Sequence, residues 1–575
     1  MNLNSKTLSI LLMTIMLGAA LNAAGQAFRL DNLKEQFGQG RPVKFSGALN
    51  ANGIGYHGNG GYGRSPFSYF VNGSINTNIY GVVNLPLSFT LSDFGGRYSY
   101  PIPSNRFSIH PSYKWVTGHI GDIAMTFSPY TLNGYLFRGV GADFEPEGGF
   151  KGSVIYGRLQ KAVEYDTANR TVPAAYERMG FGARVQVEKE KYRAGLIIFR
   201  AWDDQNSLIN KPDSLGVFPM ENTVVSINTG VKLMKELDLS VEYAASALTH
   251  DVRAEGSDGS GILAPVVNAK ASTGFYNALK TQLQYTLKNT TMGIGYERVD
   301  PGYQTLGAYY INNDLENYTV NAAQPLFKGK VQLAMNVGFQ RDNLDGTKSG
   351  SSTRAIGAFN ATYTPTEKVS TTVNYSNFQT YMRIRPQFQT INQLDNFQNL
   401  DTLNYSQTSQ NASGSLSYTL KQTEALMRIM TFDVSFQETG DNQGGVVRNG
   451  NGSRFYNGSV MYNAMQIKRG LNFSAAFNVT YNTIGRNDFI TLGPMVGFNA
   501  KLLKKKLTTG TSVSYNASKI DNTWDNTVLN VRCSALYNIV KRHTLTLNVL
   551  NQSRTFSERP NTNDFTVTVG YNLTF

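Results

Sequence analysis

Residues 564–575 read DFTVTVGYNLTF, and the parity of this stretch decides the fold. Phe565, Val567, Val569, Tyr571, Leu573 and Phe575 share one parity; Thr566, Thr568, Gly570, Asn572 and Thr574 share the other. Successive side chains of a strand point to opposite faces, so the segment has one oily face and one wet face. A sandwich strand also alternates, but here the pattern recurs along the whole chain. LNFSAAFNVTYN at 471–482, VQLAMNVGFQ at 331–340 and VVNLPLSFTLSD at 82–93 repeat it. Each is near the length, about 9–11 residues, that crosses a bilayer when tilted. An open sheet edge in hydrocarbon leaves unpaired N–H and C=O groups at several kcal/mol each, so such a sheet has to close. The reading is all-β: a single transmembrane antiparallel β-barrel whose last strand pairs with its first, so that the terminal strand needs no cap.

Composition agrees. Aromatic residues make up 12% of the chain, charged residues only 16%, and mean hydropathy is −0.29. Soluble domains carry about a quarter charged residues, and a helical membrane protein would be far more apolar. The only long apolar run, LSILLMTIMLGAAL at 8–21, is too short for a spanning helix; with Lys6 before it and small residues after, it reads as a secretory signal peptide. The expected organisation is a signal peptide over 1–25, a short periplasmic N-terminal segment over 26–41 and the barrel over 42–575. Cleavage after Gly25 or Ala27 fits. One cysteine, Cys533, allows no intramolecular disulfide and no cysteine-based metal site.

The alternation places about 26 strands (24–26) between 43–53 and 563–575. Short turns around Gly81, Glu147, Lys189, Lys235, Lys288, Lys328, Lys368, Lys421, Lys468, Lys504 and Lys541 alternate with longer connections at 161–175, 203–221, 249–272, 299–316, 381–408 and 438–454. That is the pattern of periplasmic turns and extracellular loops. Much of the +13 net charge lies in the short turns, as in KLLKKKL at 501–507, IKRG at 467–470 and VKRH at 540–543. It therefore reads as a solvated basic rim rather than a lumenal filter, and no nucleic-acid partner is expected.

Chemistry-bearing motifs are sparse. Gly53, Gly55 and Gly58 in GIGYHGNGGYG match a dinucleotide fingerprint, but no helical period follows, so the stretch reads as a first outer loop. The histidines, His57, His110, His119, His250 and His543, show no metal-binding spacing. His250 and Asp251 adjoin in an outer loop, yet neighbours on an extended chain point apart and no nucleophile accompanies them. DNLDGT at 342–347 and EGSDGSG at 255–261 lack the spacing of a calcium loop. No catalytic, cofactor or metal residue is expected. Trp115, Trp202 and Trp524 fall at strand ends, where aromatic girdles form. The longest loop, 381–408, carries Tyr381, Arg383, Arg385, Phe388, Phe397 and Tyr405; loops of that length are usually functional or disordered, and this one is the candidate for plugging the lumen or gripping a partner.

Residues 105–166 contain Pro-Ser-Tyr-Lys-Trp at 111–115, Phe-Ser-Pro-Tyr-Thr-Leu at 127–132 and Tyr-Gly-Arg at 156–158. With PVKFSGALNANGI at 42–54, this region resembles a large, poorly characterised group of outer-membrane barrels of the Bacteroidota. The resemblance implies fold and location, and no activity. The terminal Tyr571, Leu573 and Phe575 likewise resemble the signal read by the barrel-assembly machinery. Implied partners are that machinery, outer-membrane lipids and an outer-membrane or periplasmic protein. A wide barrel with a polar inner face of Asn, Ser, Thr and Gly points to transport of a solute or polypeptide. The alternative is a non-conducting scaffold or accessory subunit of an assembly, secretion or surface-protein complex. A surface hydrolase using His250 is a remote third.

Overall fold

The computed structural model describes residues 43–60, 65–93, 105–165, 174–347, 353–377, 380–383, 405–439, 442–443, 446–447, 453–484 and 487–575. It is a closed antiparallel barrel of 26 strands, counting as one each the two strands that are interrupted midway. In chain order the first half comprises β1 (Val43–Gly58), β2 (Phe67–Ile79), β3 (Val83–Ser92), β4 (Arg106–Ile109 with Ser112–Tyr113), β5 (Val116–Thr126), β6 (Asn133–Phe144), β7 (Phe150–Gln160), β8 (Glu177–Glu188), β9 (Tyr192–Asp204), β10 (Glu221–Met234), β11 (Leu237–Thr249), β12 (Thr273–Leu287) and β13 (Thr290–Val299). The second half comprises β14 (Leu315–Leu326), β15 (Val331–Arg341), β16 (Thr353–Thr366), β17 (Val369–Ser376 with Thr380–Arg383), β18 (Tyr405–Gln422), β19 (Leu426–Thr439), β20 (Ser453–Gln466), β21 (Leu471–Ile484), β22 (Asn487–Leu502), β23 (Leu507–Ile520), β24 (Thr523–Val540), β25 (His543–Phe556) and β26 (Thr562–Thr574).

Closure is made by the stretch quoted first. β26 pairs β1 in register from Ala48 opposite Thr574 to Gly58 opposite Asp564. At the rim, the Phe575 amide donates to Gly47 O and the Gly47 amide to Phe575 O, at 3.0 and 2.9 Å. At this seam no strand edge is left open, as hydrocarbon demands. Gly47 has no room for a side chain there, since a Cβ would lie 2.2 Å from Ser74 O.

Val43, Phe575 and most of the short turns lie at one rim, called here the near rim; the longer connections lie at the far rim. One far-rim link among the described residues is nonetheless tight. At 521–522, Asp521 and Asn522 both take positive φ, 44° and 72°, as a two-residue hairpin turn requires. Side chains of one parity form the apolar exterior, with Phe45, Tyr156, Ile227, Phe339, Val434, Phe498 and Val569 exposed. The opposite parity faces the lumen. Trp115 at a near-rim turn packs against Phe144, and Lys519 caps the Trp524 ring at 4.5 Å near the far rim. The glycine fingerprint at Gly53–Gly58 is not a loop: it completes β1, whose pairing with β26 extends to Gly58.

Candidate functional site: the lumen

Over β17–β26 the inner face is polar, as the alternation implies. Asn478, Thr480, Ser514, Asn516, Asn530, Gln552, Thr566 and Thr568 share the inward parity and are buried. Gln552 donates to Asn530 at 2.8 Å, and Asn530 to Ser514 at 3.2 Å. Around the inner wall, the Oδ1 atoms of Asn72, Asn76, Asn336, Asn472, Asn478 and Asn482 find no protein partner among the described residues. Polar atoms inside a protein are nearly always paired, with ordered water when protein is lacking.

The arc from β5 to β13 departs from this pattern. Toward the far rim its inner face is apolar: Ile123, Phe137, Ile155, Leu159, Ile197, Phe199, Val224 and Leu248 are buried. Two far-rim loops cover them by folding inward. Residues 127–132, the FSPYTL stretch, insert Phe127 and Leu132, and residues 300–314 insert Leu306. The two loops hold each other through Tyr303 Oη to Tyr130 O at 2.8 Å, Thr305 Oγ1 to Thr131 O at 2.7 Å and the Asn133 amide to Gly307 O at 2.9 Å. The wall holds them too: the Leu306 amide donates to Asn222 Oδ1 at 3.1 Å, and Ser246 Oγ to Gln304 O at 2.7 Å. Gly307 lies so close that a Cβ would meet Thr131 O at 2.7 Å and the Phe199 ring at 2.8 Å. Each large apolar side chain so buried contributes roughly 1.5–3 kcal/mol, so the inward fold is a packed core. Burial pushes the hydroxyls of Tyr130 and Tyr303 well above the ordinary tyrosine range, with Glu297 adding to the effect at Tyr130, so both stay protonated donors. Tyr130 Oη donates to Glu297 at 2.5 Å.

Below and beside this core the inner wall carries a polar row, broken once by a glycine over which the neighbouring Asn228 side chain lies. Taking strictly opposed residues on successive strands gives Lys151, Gln186, Gly195, Asn228, Glu242, Lys280, Glu297, Asn317, Gln340 and Arg354. The row starts beside the near rim at Lys151 on β7 and ends beside the far rim at Arg354 on β16. Side chains of opposed residues lie about 5 Å apart, within reach of one another. Part of it is joined by hydrogen bonds: Asn317 to Glu297 at 3.2 Å, Gln340 to Asn317 at 2.8 Å and Arg354 Nε to Gln340 at 2.8 Å. Lys280, between two glutamates, is exposed to the lumen and borders a cavity of about 210 Å³ with Arg193, Asn228 and Glu242.

A second polar group lies on β4–β8 nearer the near rim. His110 Nδ1 and His119 Nδ1 are 2.8 Å apart, His119 Nε2 meets Asp143 at 2.8 Å, and Arg184 donates to Ser153 Oγ at 3.0 Å. Facing Nδ1 atoms share one proton between them. Ser153 is engaged by Arg184 and not by either imidazole, so the group lacks the nucleophile–base contact that acyl transfer needs. Among the described residues no three His, Cys, Asp or Glu side chains gather as a metal site.

The positions expected from sequence divide. Tyr381 and Arg383 belong to β17, opposite Gln407 and Tyr405 of β18, so the wall reaches further into the 381–408 stretch than its loop-like composition suggests. Arg385, Phe388 and Phe397 lie outside the described residues. Tyr571 and Leu573 sit in β26, and Tyr571 Oη meets His543 Nδ1 at 2.6 Å. His250 is exposed, while Asp251 is taken by Arg253, whose Nε donates to it at 2.9 Å. Sequence reasoning missed the inward-folded loops. Two signals pointed to them: LIIF at 196–199 in β9, apolar on both faces, and the aromatic content of DPGYQTLGAYY at 300–310.

Arg253 also ties two far-rim loops together, reaching Asp213 with two bonds of 3.0 Å. Its hydrogen bonds hold the Asp251 carboxyl below the ordinary 3.8. A depressed folded value means that the brace of Asp251 on Arg253, which sets the guanidinium toward Asp213, is complete above the ordinary carboxylate range and is lost as pH falls through the lower folded value. Pepsin, active in acid, is expected to leave residues 250–272 intact near about pH 4 and to cut them near about pH 2; equal cutting at both would show that the tie does not hold the loop.

The fold and its lumen define a class: a wide transmembrane β-barrel with a packed inner constriction. No protein-family model matches the chain, and no curated protein matches it in sequence. Solved structures of outer-membrane barrels are similar in fold. The FrpB iron transporter from Neisseria meningitidis aligns at 11% identity and a TM-score of 0.38, over 92% of this chain and 82% of that one. A chain of the E. coli P pilus tip assembly intermediate PapC-PapD-PapK-PapG aligns at 10% identity and 0.43, over 92% and 60%. An anion-selective porin from Comamonas acidovorans aligns at 12% and 0.27, over 62% and 100%.

Proposed function

We propose that the chain is a transport barrel of the Gram-negative outer membrane: a hydrated conduit, for a solute or a polypeptide, narrowed by two of its own loops. The observation that carries this reading is the set of inward asparagine oxygens without a protein partner, which call for water inside the wall. The polar row from rim to rim gives a solute somewhere to exchange its hydration. Here residues 1–25 are a cleaved signal peptide, 26–41 a short periplasmic lead and 42–575 the barrel; the near rim is periplasmic and the far rim external. The resemblance of residues 105–166 supports kinship with the Bacteroidota barrels, and no catalysis is assigned.

Planar-bilayer recording of the purified barrel tests the reading, with steady channels expected. Lys280→Glu, which turns the centre of the row into three consecutive carboxylates, is expected to move the reversal potential under a salt gradient toward cations. Channels with unchanged selectivity would place the current elsewhere. The second reading, a non-conducting scaffold, is favoured by the Arg253–Asp213 tie, which fixes far-rim loops as a partner platform would need. A barrel silent both as wild type and with its inner loops released would establish it.

A further inference from the structure

The lipid-facing side of β13–β15 carries three rows of opposed residues. Nearest the far rim are Arg298, Glu316 and Arg341; next come Tyr296, Tyr318 and Phe339; then Ile294, Val320 and Val337. Charged, aromatic and aliphatic rows thus follow one another in the order of a membrane interface. Successive rows lie two residues apart, about 6.6 Å along the strand. The two lower rows line an apolar groove of about 990 Å³ on the outside of the barrel, which Leu283 and Tyr375 extend sideways.

The charged row is unusual for a lipid-facing wall. The Glu316 side chain is only 6% exposed, whereas those of Arg298 and Arg341 are 40% and 56% exposed. Glu316 accepts from Tyr296 Oη at 2.8 Å. Arg341 approaches the other carboxylate oxygen at 2.5 Å, off the hydrogen-bond axis, and Arg298 stands 3.9 Å from the carboxylate. Arg298 also touches Asp300 at 3.4 Å. With Asp300 beside Arg298 and Glu316 between the two guanidiniums the group is balanced in charge, but both guanidiniums remain partly exposed, with N–H groups open to a further acceptor. Guanidiniums take phosphate oxygens in paired, charge-assisted hydrogen bonds.

We propose that this face is a binding site for one acylated, phosphate-bearing lipid of the outer leaflet, of the lipid A class. Arg298 and Arg341 hold the phosphate, Tyr296, Tyr318 and Phe339 lie at the level of the acyl linkages, and the groove takes the chains. The assignment of leaflet rests on the orientation given under the proposed function; the site itself lies outside the lumen.

The test is native mass spectrometry of the full-length barrel in detergent, titrated separately with lipid A, phosphatidylethanolamine and inorganic phosphate. Wild type is expected to retain lipid A about tenfold more strongly than the zwitterionic lipid, the scale of one charge-assisted contact pair. Arg298→Gln with Arg341→Gln is expected to abolish the preference. Glu316→Gln, which removes the competing carboxylate, is expected to strengthen it, so the proposal stays testable if the double variant fails to fold. An Arg559→Gln control, at a far-rim loop, should change nothing. Equal retention of both lipids by wild type, a preference surviving the double variant, weakening with Glu316→Gln, or phosphate binding as well as lipid A would each overturn the site. Bilayer conductance of the double variant should equal that of wild type, so a failed conduit and a failed lipid site give separate results.

Discussion

Replacing Leu132 by aspartate is expected to raise the single-channel conductance of the barrel several-fold while leaving the wall assembled. Leu132 is fully buried among Phe127, Leu306 and the apolar inner faces of β5–β11. Losing the leucine packing alone costs roughly 2–5 kcal/mol, and an unpaired carboxylate at that spot adds a desolvation penalty. The inward loops are held chiefly by this core and a few hydrogen bonds, so the cheapest response is for 127–132 and 300–314 to swing out together. The wall does not share the loss, because its strands are joined by backbone ladders that the substitution leaves intact. Gly307→Val offers an independent route, since its branches would collide with Thr131 O and the Phe199 ring. Conductance distinguishes the outcomes, and heat-modifiable electrophoretic mobility reports whether the barrel persists. Unchanged conductance in a folded variant would mean that these loops line the bore without obstructing it.

The wall was legible because a strand has period two and a lipid-facing barrel writes that period into every segment. The second segment of β17, Thr380–Arg383, was not legible, because its residues read as the start of the 381–408 loop. What fills the wall was not legible. Periodicity reports which residues face inward and is silent on whether water or a loop meets them. LIIF at 196–199 marked a strand apolar on both faces, but its covering comes from segments at 127–132 and 300–314, far apart in the chain and brought together only by closure. The polar row was hidden for a different reason. Glu242 and Lys280 become neighbours only once the register of β11 against β12 is set, and the loop at 250–272 between them does not set it. The outer arginine row escaped likewise, because Arg298, Glu316 and Arg341 read singly as strand-end charges.

At the carboxyl terminus two physical roles can be separated by a graded pair of changes. Removing residues 571–575 strips β26 of its last contacts with β1, including those at Ala48 and Leu49 and the mutual Gly47–Phe575 bonds. It also takes away the register partners of His543, Thr544 and Leu545 on β25. Each backbone group left unpaired in hydrocarbon costs several kcal/mol, so the truncated chain is expected to yield essentially no barrel, in cells or on refolding into detergent. Phe575→Ala differs: both hydrogen bonds to Gly47 run through the backbone and survive, and only the ring beside Gly47 is lost. On closure alone, this variant should refold in vitro nearly as well as wild type. If Tyr571, Leu573 and Phe575 are also what the assembly machinery reads, its yield in the outer membrane should fall severalfold while refolding in vitro holds. A parallel decline in both assays would make the ring a packing element of the rim; no decline in either would leave the backbone pairing with β1 as the whole contribution of this residue.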